Sequence, residues 1–234
     1  MKTSTLIFAF ILSVAVSAQS TPRQIVLIRH AEKLDDSHRD LSPQGCQRAY
    51  QLTNFFSAYE SDVVAIYAQQ AKKAWSSIRP LETIAPTAKA VGLKINNNFL
   101  RDDVTSVASE ILNSKAYDNK TIFIAWEHSA IPNLARALGL QLPTNLQEWP
   151  SPIFDQAWIL NYDHGKPKLT IVAEMALPTD ILPTQSGVNN WGSETAPKNN
   201  GITLPQDLIN ECSQGNSGLD QIVKVFSIVP VPNL

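Results

Sequence analysis

QIVLIRHAEK, residues 24–33, runs a short apolar, β-branched segment directly into a cation and an imidazole. Gln24 to Ile28 is too short for a buried helix and rich in Ile and Val, so it reads as a buried strand. A strand apolar at successive positions belongs to a sheet covered on both faces. Arg29 and His30 then stand at the C-terminal end of that strand, the edge at which open α/β sheets bind ligands.

The flanking sequence repeats this alternation of strand and helix. Ser42 to Tyr59 is expected to be a helix, with Pro43 in its first turn and Ala49, Leu52, Phe55, Phe56 and Tyr59 on one stripe. Val63 to Tyr67 follows as a strand, then a helix from Ile78 to Val91, interrupted or bent near Pro86 and stopped by Gly92. Leu93 to Ile95 is expected to be a short strand, Thr105 to Asn113 a helix, Thr121 to Trp126 the strongest buried strand, and Pro132 to Leu138 a helix stopped at Gly139. Trp158 to Tyr162 and Lys168 to Ala173 pair as a hairpin around Asp163-His164-Gly165-Lys166. The order implies one α/β domain over 19–177, a three-layer sandwich with a mainly parallel central sheet and helices on both faces. From 178 to 234 Pro, Asn, Gly, Ser and Thr dominate without periodicity, which reads as an irregular extension packing on the domain.

The 234 residues are 44% hydrophobic and 17% charged, enough for one substantial core. With 19 Lys plus Arg against 21 Asp plus Glu, no broad nucleic-acid-binding face is expected, and attraction to anions must be local. Residues 1–18 read as a signal peptide: Lys2, an apolar run from Leu6 to Val16, and the small-residue exit Val16-Ser17-Ala18. The expectation is a secreted protein with no membrane anchor. Export favours a disulfide between Cys46 and Cys212 over two buried thiols, and the Asn119-Lys120-Thr121 sequon offers a glycosylation site in a eukaryotic host. Neither the cysteine spacing nor nearby histidines indicate a metal site.

Chemistry concentrates at strand ends. Arg29 and His30 follow the first strand, His128 follows the Thr121 to Trp126 strand, and Arg79 opens a helix soon after the second. Two guanidiniums and two imidazoles converging there would suit a tetrahedral dianion, because guanidinium forks match phosphate oxygens and histidine can attack phosphorus. Each residue also has a plainer reading, the arginines as salt-bridged surface groups and the histidines as structural hydrogen-bond partners.

LIRHAEK at 27–33, Leu41-Ser42-Pro43-Gln44-Gly45, RPLET at 79–83 and WEHSAIPNLARALG at 126–139 together resemble the histidine phosphatase superfamily, the phosphoglycerate mutase-like proteins, over about residues 24–175. The resemblance implies that His30 is the phosphorylated nucleophile and that Arg29, Arg79 and His128 hold the phosphoryl oxygens. The sequence departs from the pattern in several places. Ala31 stands where many members have Gly, and Glu32-Lys33 lacks the Arg of the acid phosphatase branch. Ser129 stands where that branch has its proton-donating Asp; the mutase-like branch has its acid after a Leu-Arg pair, where the resemblance matches Asp102 by position, with its neighbour Asp103 and Glu127 beside His128 as further candidates. The family's Ser after the second strand is absent, and the stretch 68–78 before Arg79 is longer than usual.

The function implied is a secreted phosphatase acting on a small phosphorylated substrate through a phosphohistidine, without metal or cofactor. A non-catalytic phosphate-binding or interaction module is the alternative of another class, and a phosphoglycerate mutase the enzymatic rival. Oligomeric state is left open. His38 among Asp35, Asp36 and Asp40 reads as a solvated turn, His164 as a hairpin-turn residue, Lys72 and Lys73 as a solvated face, and Trp126, Trp149 and Trp158 as core or rim aromatics, with Trp149 able to line the cleft.

Overall fold

The computed structural model describes residues 21–59, 62–73, 75–177 and 180. The expected signal peptide, Cys212 and all of the 178–234 extension except Asp180 lie outside these residues. Six strands form one sheet: β1 (Gln24–Arg29), β2 (Val63–Ala68), β3 (Ile95–Asn96), β4 (Thr121–Trp126), β5 (Gln156–Asp163) and β6 (Lys166–Ala173). Their spatial order is β3-β2-β4-β1-β5-β6. β3, β2, β4 and β1 run parallel, and β5 and β6 join antiparallel beside β1. The fold is therefore mixed α/β, with a mostly parallel sheet.

Side-chain alternation assigns the two faces. Val26 and Ile28 of β1 pack with α1 (Pro43–Ser57) and α2 (Arg79–Val91), whereas Ile25 and Leu27 pack with α3 (Val104–Asn113) and α4 (Ile131–Ala137). Every residue of β4 is buried, which is why it reads as a continuous apolar run and not an alternating one. Trp126 and Trp158 are core residues, and Trp149 is buried as well, stacked on Trp158 with ring centroids 5.3 Å apart.

Local chemistry sets the boundaries. Ser42 caps α1, its Oγ accepting from the Gly45 N–H at 3.1 Å, with Pro43 at the first helical position. α2 continues through Pro86 without the interruption expected there. Gly92 ends it in the left-handed conformation, φ 70°, and the Leu93 N–H donates back to the Ala88 carbonyl at 3.0 Å. That cap consumes Leu93, so β3 begins at Ile95 and not at Leu93. In the β5–β6 hairpin the strands extend to Asp163 and Lys166, and the turn shrinks to His164 and Gly165, with φ 48° and 80°.

Gly45 lets α1 approach the loop that follows β1. The Ser42 N–H donates to the Glu32 carbonyl at 2.9 Å, and a Cβ at position 45 would stand 2.2 Å from that carbonyl oxygen. Backbone cannot yield there as a flexible side chain could. Gly45→Ala is expected to lower the unfolding free energy by about 1–3 kcal/mol, the usual cost of overpacking, measured by urea denaturation at neutral pH.

Candidate active site

The parallel pairing of β1 with β4 sets Arg29 opposite Trp126, and the His30 N–H extends the ladder by donating to the Trp126 carbonyl at 2.9 Å. The His30 ring is buried, its Nδ1 2.7 Å from the Ala31 carbonyl oxygen. A carbonyl oxygen only accepts, so Nδ1 carries the hydrogen and the lone pair of the neutral ring lies on Nε2. The Ala31 N–H donates to Thr83 Oγ1 at 2.8 Å, and that hydroxyl donates to the Arg79 carbonyl at 2.7 Å. The loop that follows His30 is thereby tied to the first turn of α2. Burial pushes the His30 pKa down to about 3, against the opposing effect of the Ala31 hydrogen bond; the charges of Arg29, Arg79 and His128 push the same way as burial.

Arg29 is held on several sides. Its Nη1 donates to the carbonyls of Ser151 at 2.6 Å and Ile153 at 2.8 Å, and its guanidinium carbon lies 3.7 Å from the centroid of the Phe154 ring. Burial lowers its pKa to about 10. Arg79 heads α2 and donates from Nε to Ser77 Oγ at 2.7 Å; burial shifts it down too. Arg29 Nε and Arg79 Nη1 are buried donors without a partner among the described residues. Such groups are uncommon in native proteins, and two of them on guanidiniums beside a neutral imidazole form a receptor for an anion.

His128, half-buried after β4, completes the quartet. Its Nδ1 lies 2.7 Å from Glu127 Oε1 and 3.3 Å from Arg29 Nη2. Desolvation lowers its pKa, and Arg29 adds to the effect while Glu127 opposes it. Glu127 also accepts from the Ser129 N–H at 3.1 Å and from the Ser129 hydroxyl, and its own N–H donates to Gln69 Oε1 at 3.2 Å.

The structure thus brings Arg29, His30, Arg79, His128 and Glu127 together and treats the other two carboxylates differently. Asp102 is exposed and paired with Arg101, at 2.8 Å from Nε and 3.1 Å from Nη2, and this partner holds its pKa below the ordinary carboxylate value. Asp103 accepts from the Leu100 N–H at 2.8 Å, at the start of α3. Of the remaining sequence candidates, Cys46 is a buried residue of α1, and Asn119 is exposed in a turn with φ 54°. His38 Nδ1 donates to the Asp35 carboxylate at 2.8 Å in an exposed turn.

Arg48 escaped the sequence reading. It is 3% exposed and bonds Glu32 through Nε and Nη2, Asp180 through Nη1 and Nη2 at 2.8 Å each, and Glu174 through Nη1 at 3.2 Å. Glu32 lies two residues beyond His30, and the Glu174 N–H donates to the carbonyl of Asp155, next to Phe154. One guanidinium therefore braces the loop that follows His30 and the segment that cradles Arg29. The available signal was a charged residue four positions before Leu52, on the apolar stripe of α1.

No family model and no curated protein matches the chain. Among solved structures, it is similar to the protein histidine phosphatase SixA complexed with tungstate at 14% identity, over 64% of this chain and 97% of that one, TM-score 0.45. It is similar to a phosphoglycerate mutase of Plasmodium falciparum at 19% identity, over 72% and 98%, TM-score 0.45. A mycobacterial glucosyl-3-phosphoglycerate phosphatase with bound inorganic phosphate follows at 14% identity, over 63% and 95%, TM-score 0.43. At such identities and TM-scores the chemistry of the site rests on this chain's own residues.

The state of His30 has a consequence for stability. Folded, it resists protonation down to pH about 3, whereas its ordinary pKa is 6.5. Between these values the unfolded chain binds the extra proton, so stability falls as pH falls, by up to about 1.4 kcal/mol per pH unit for one such group. Urea unfolding between pH 7 and 4 is expected to show a shallower acid-side decline for His30→Asn than for the wild type.

Proposed function

We propose that this chain is a secreted phosphomonoesterase of the histidine phosphatase type. The observation that carries the reading is the His30 tautomer: Nδ1–H is fixed on the Ala31 carbonyl, leaving Nε2 as a neutral nucleophile among Arg29, Arg79 and His128. The four sequence segments quoted above support it in order and spacing, and residues 1–18 support secretion.

In the first step Nε2 of His30 forms a bond to phosphorus as the ester P–O bond breaks in line with it. The partnerless N–H groups of Arg29 and Arg79, with His128, offset charge on the equatorial oxygens, in a buried setting where such contacts are strong. Glu127 is the acid in this scheme, giving its proton to the leaving alkoxide. It touches His128, whereas Asp102 is held ionised by Arg101. Water then attacks phosphorus, Glu127 takes a proton from it, and the N–P bond breaks to release phosphate and restore His30.

His30→Ala is expected to abolish turnover of a panel of phosphomonoesters, and rapid quenching of the wild type is expected to trap an acid-labile phosphoprotein. Glu127→Gln should slow alkyl phosphates by about 100-fold or more while slowing an aryl phosphate much less, because a good leaving group needs little protonation. Retained activity in His30→Ala would overturn the mechanism. Mass measurement of the protein from the culture medium is expected to place its N-terminus at Gln19.

A further inference from the structure

Two recesses open beside Glu127, one on each side of the Arg101–Asp102 pair. The larger, about 330 Å³, is walled by Gln69, Gln70, Lys72, Ser76 and Ser77 on one side and by residues 100–103 on the other. The smaller, about 240 Å³, is bounded by Arg101, Asp102, Ser129 and Asn133 among others. The larger adjoins Arg79 and Glu127 by direct bonds, and the smaller adjoins Glu127. Ser77 Oγ accepts from Arg79 Nε, Gln69 Oε1 accepts from the Glu127 N–H, and Ser129 donates to the Glu127 carboxyl. A phosphoryl group held by Arg29, Arg79 and His128 therefore places its leaving oxygen, beside Glu127, toward these recesses.

The walls differ from those of most small-molecule pockets, which are largely apolar. Among the described residues Leu100 is the one apolar residue lining the larger recess, whose charges cancel: Lys72 and Arg101 against Asp102 and Asp103. Arg101 and Asp102 already satisfy each other, and Asp103 accepts from the Leu100 N–H. A second phosphate or a carboxylate on the substrate thus meets no surplus positive charge, and an aryl or alkyl group meets only Leu100 and the aliphatic stems of polar side chains. What the walls do offer is donors and acceptors side by side: the two amides of Gln69 and Gln70 and the two hydroxyls of Ser76 and Ser77. An alcohol hydroxyl both donates and accepts, and satisfies such groups in pairs. The size suits a single small ring or chain.

We infer that the recess between residues 69–77 and 100–103 receives the leaving group, and that this group is an uncharged polyhydroxylated alcohol, so that the substrate class is a sugar or polyol monophosphate. The inference rests on the phosphatase reading above and extends it to the long 68–78 stretch that sets this chain apart from the family pattern. Gln70 is a specificity residue in this assignment. Its backbone N–H is fixed on the Phe99 carbonyl at 2.7 Å, which holds the residue at the cavity wall.

Calorimetric binding to the full chain separates the two layers without requiring turnover. The probes are a hexose 6-phosphonate, butylphosphonate and inorganic phosphate, none of which the enzyme can hydrolyse. The hexose phosphonate is expected to bind at least about tenfold more tightly than butylphosphonate, as two or so added neutral hydrogen bonds would give. In the Gln70→Ala/Lys72→Ala double variant the two affinities should converge to within about threefold, with inorganic phosphate binding unchanged. Equal binding of the two phosphonates by the wild type, or a preference untouched in the double variant, would overturn the assignment while leaving the phosphate site standing. Binding of neither phosphonate, and of no phosphate, would remove both.

Discussion

The parallel pairing of β1 with β4 is the constraint on which the site depends. Its register, from Gln24 opposite Thr121 to Arg29 opposite Trp126, brings residues 29–30 and 127–128 side by side although Arg29 and His128 are 99 positions apart in sequence. Both strands are buried on both faces, so their alternating side chains are fixed by two layers of helices and the register cannot slip by one residue without exchanging core faces. The His30 N–H bond to Trp126 continues the ladder into the site itself. The geometry of the site at the strand ends is in this sense inherited from apolar packing beneath it.

Charge burial is the second element of the design. Arg29 loses most of its water and recovers contacts from the Ser151 and Ile153 carbonyls and the Phe154 ring, and none of these neutralises it. Its charge remains available to an anion. Arg48 is handled in the opposite way: Glu32 and Asp180 surround it with hydrogen-bonded carboxylates that raise its pKa against the effect of burial, and Glu174 is pushed well up by its own burial. The first guanidinium keeps a buried Nε–H without a partner among the described residues, and the second is consumed as a structural brace. The two are linked through Glu32 and through the Glu174 to Asp155 backbone contact, so the brace bears on the loop that carries His30.

Much of this was legible from residue order. The strand at 24–28, the helix after Ser42, the buried strand at 121–126 and the stop at Gly92 follow from periodicity, capping and proline or glycine chemistry, and they recur with shifts of a residue or two. The shifts have local causes, as where the helix cap takes Leu93 away from β3. The quartet was legible because its members sit at strand ends or a helix start. Arg48 was not, because an arginine on an apolar stripe acquires its meaning only from Glu174 and Asp180, more than a hundred residues away. Among the three carboxylates the resemblance pointed to Asp102 by position, whereas their partners are a matter of the fold: Asp102 pairs with Arg101, and Glu127 meets His128.

By itself the sequence determined the class of fold and the placing of Arg29, His30, Arg79 and His128 at strand ends or a helix start, because alternation, capping and strand-end position are local properties of the chain. Tertiary structure alone decided how those groups are charged and which neighbours they meet. The His30 tautomer depends on the placement of the Ala31 carbonyl, its low pKa on the density of the surrounding core, and the proximity of Glu127 rather than Asp102 to the quartet on the packing of distant segments. Burial and charge proximity are set in three dimensions, so a chemistry that turns on them can be named from the sequence but assigned only in the fold.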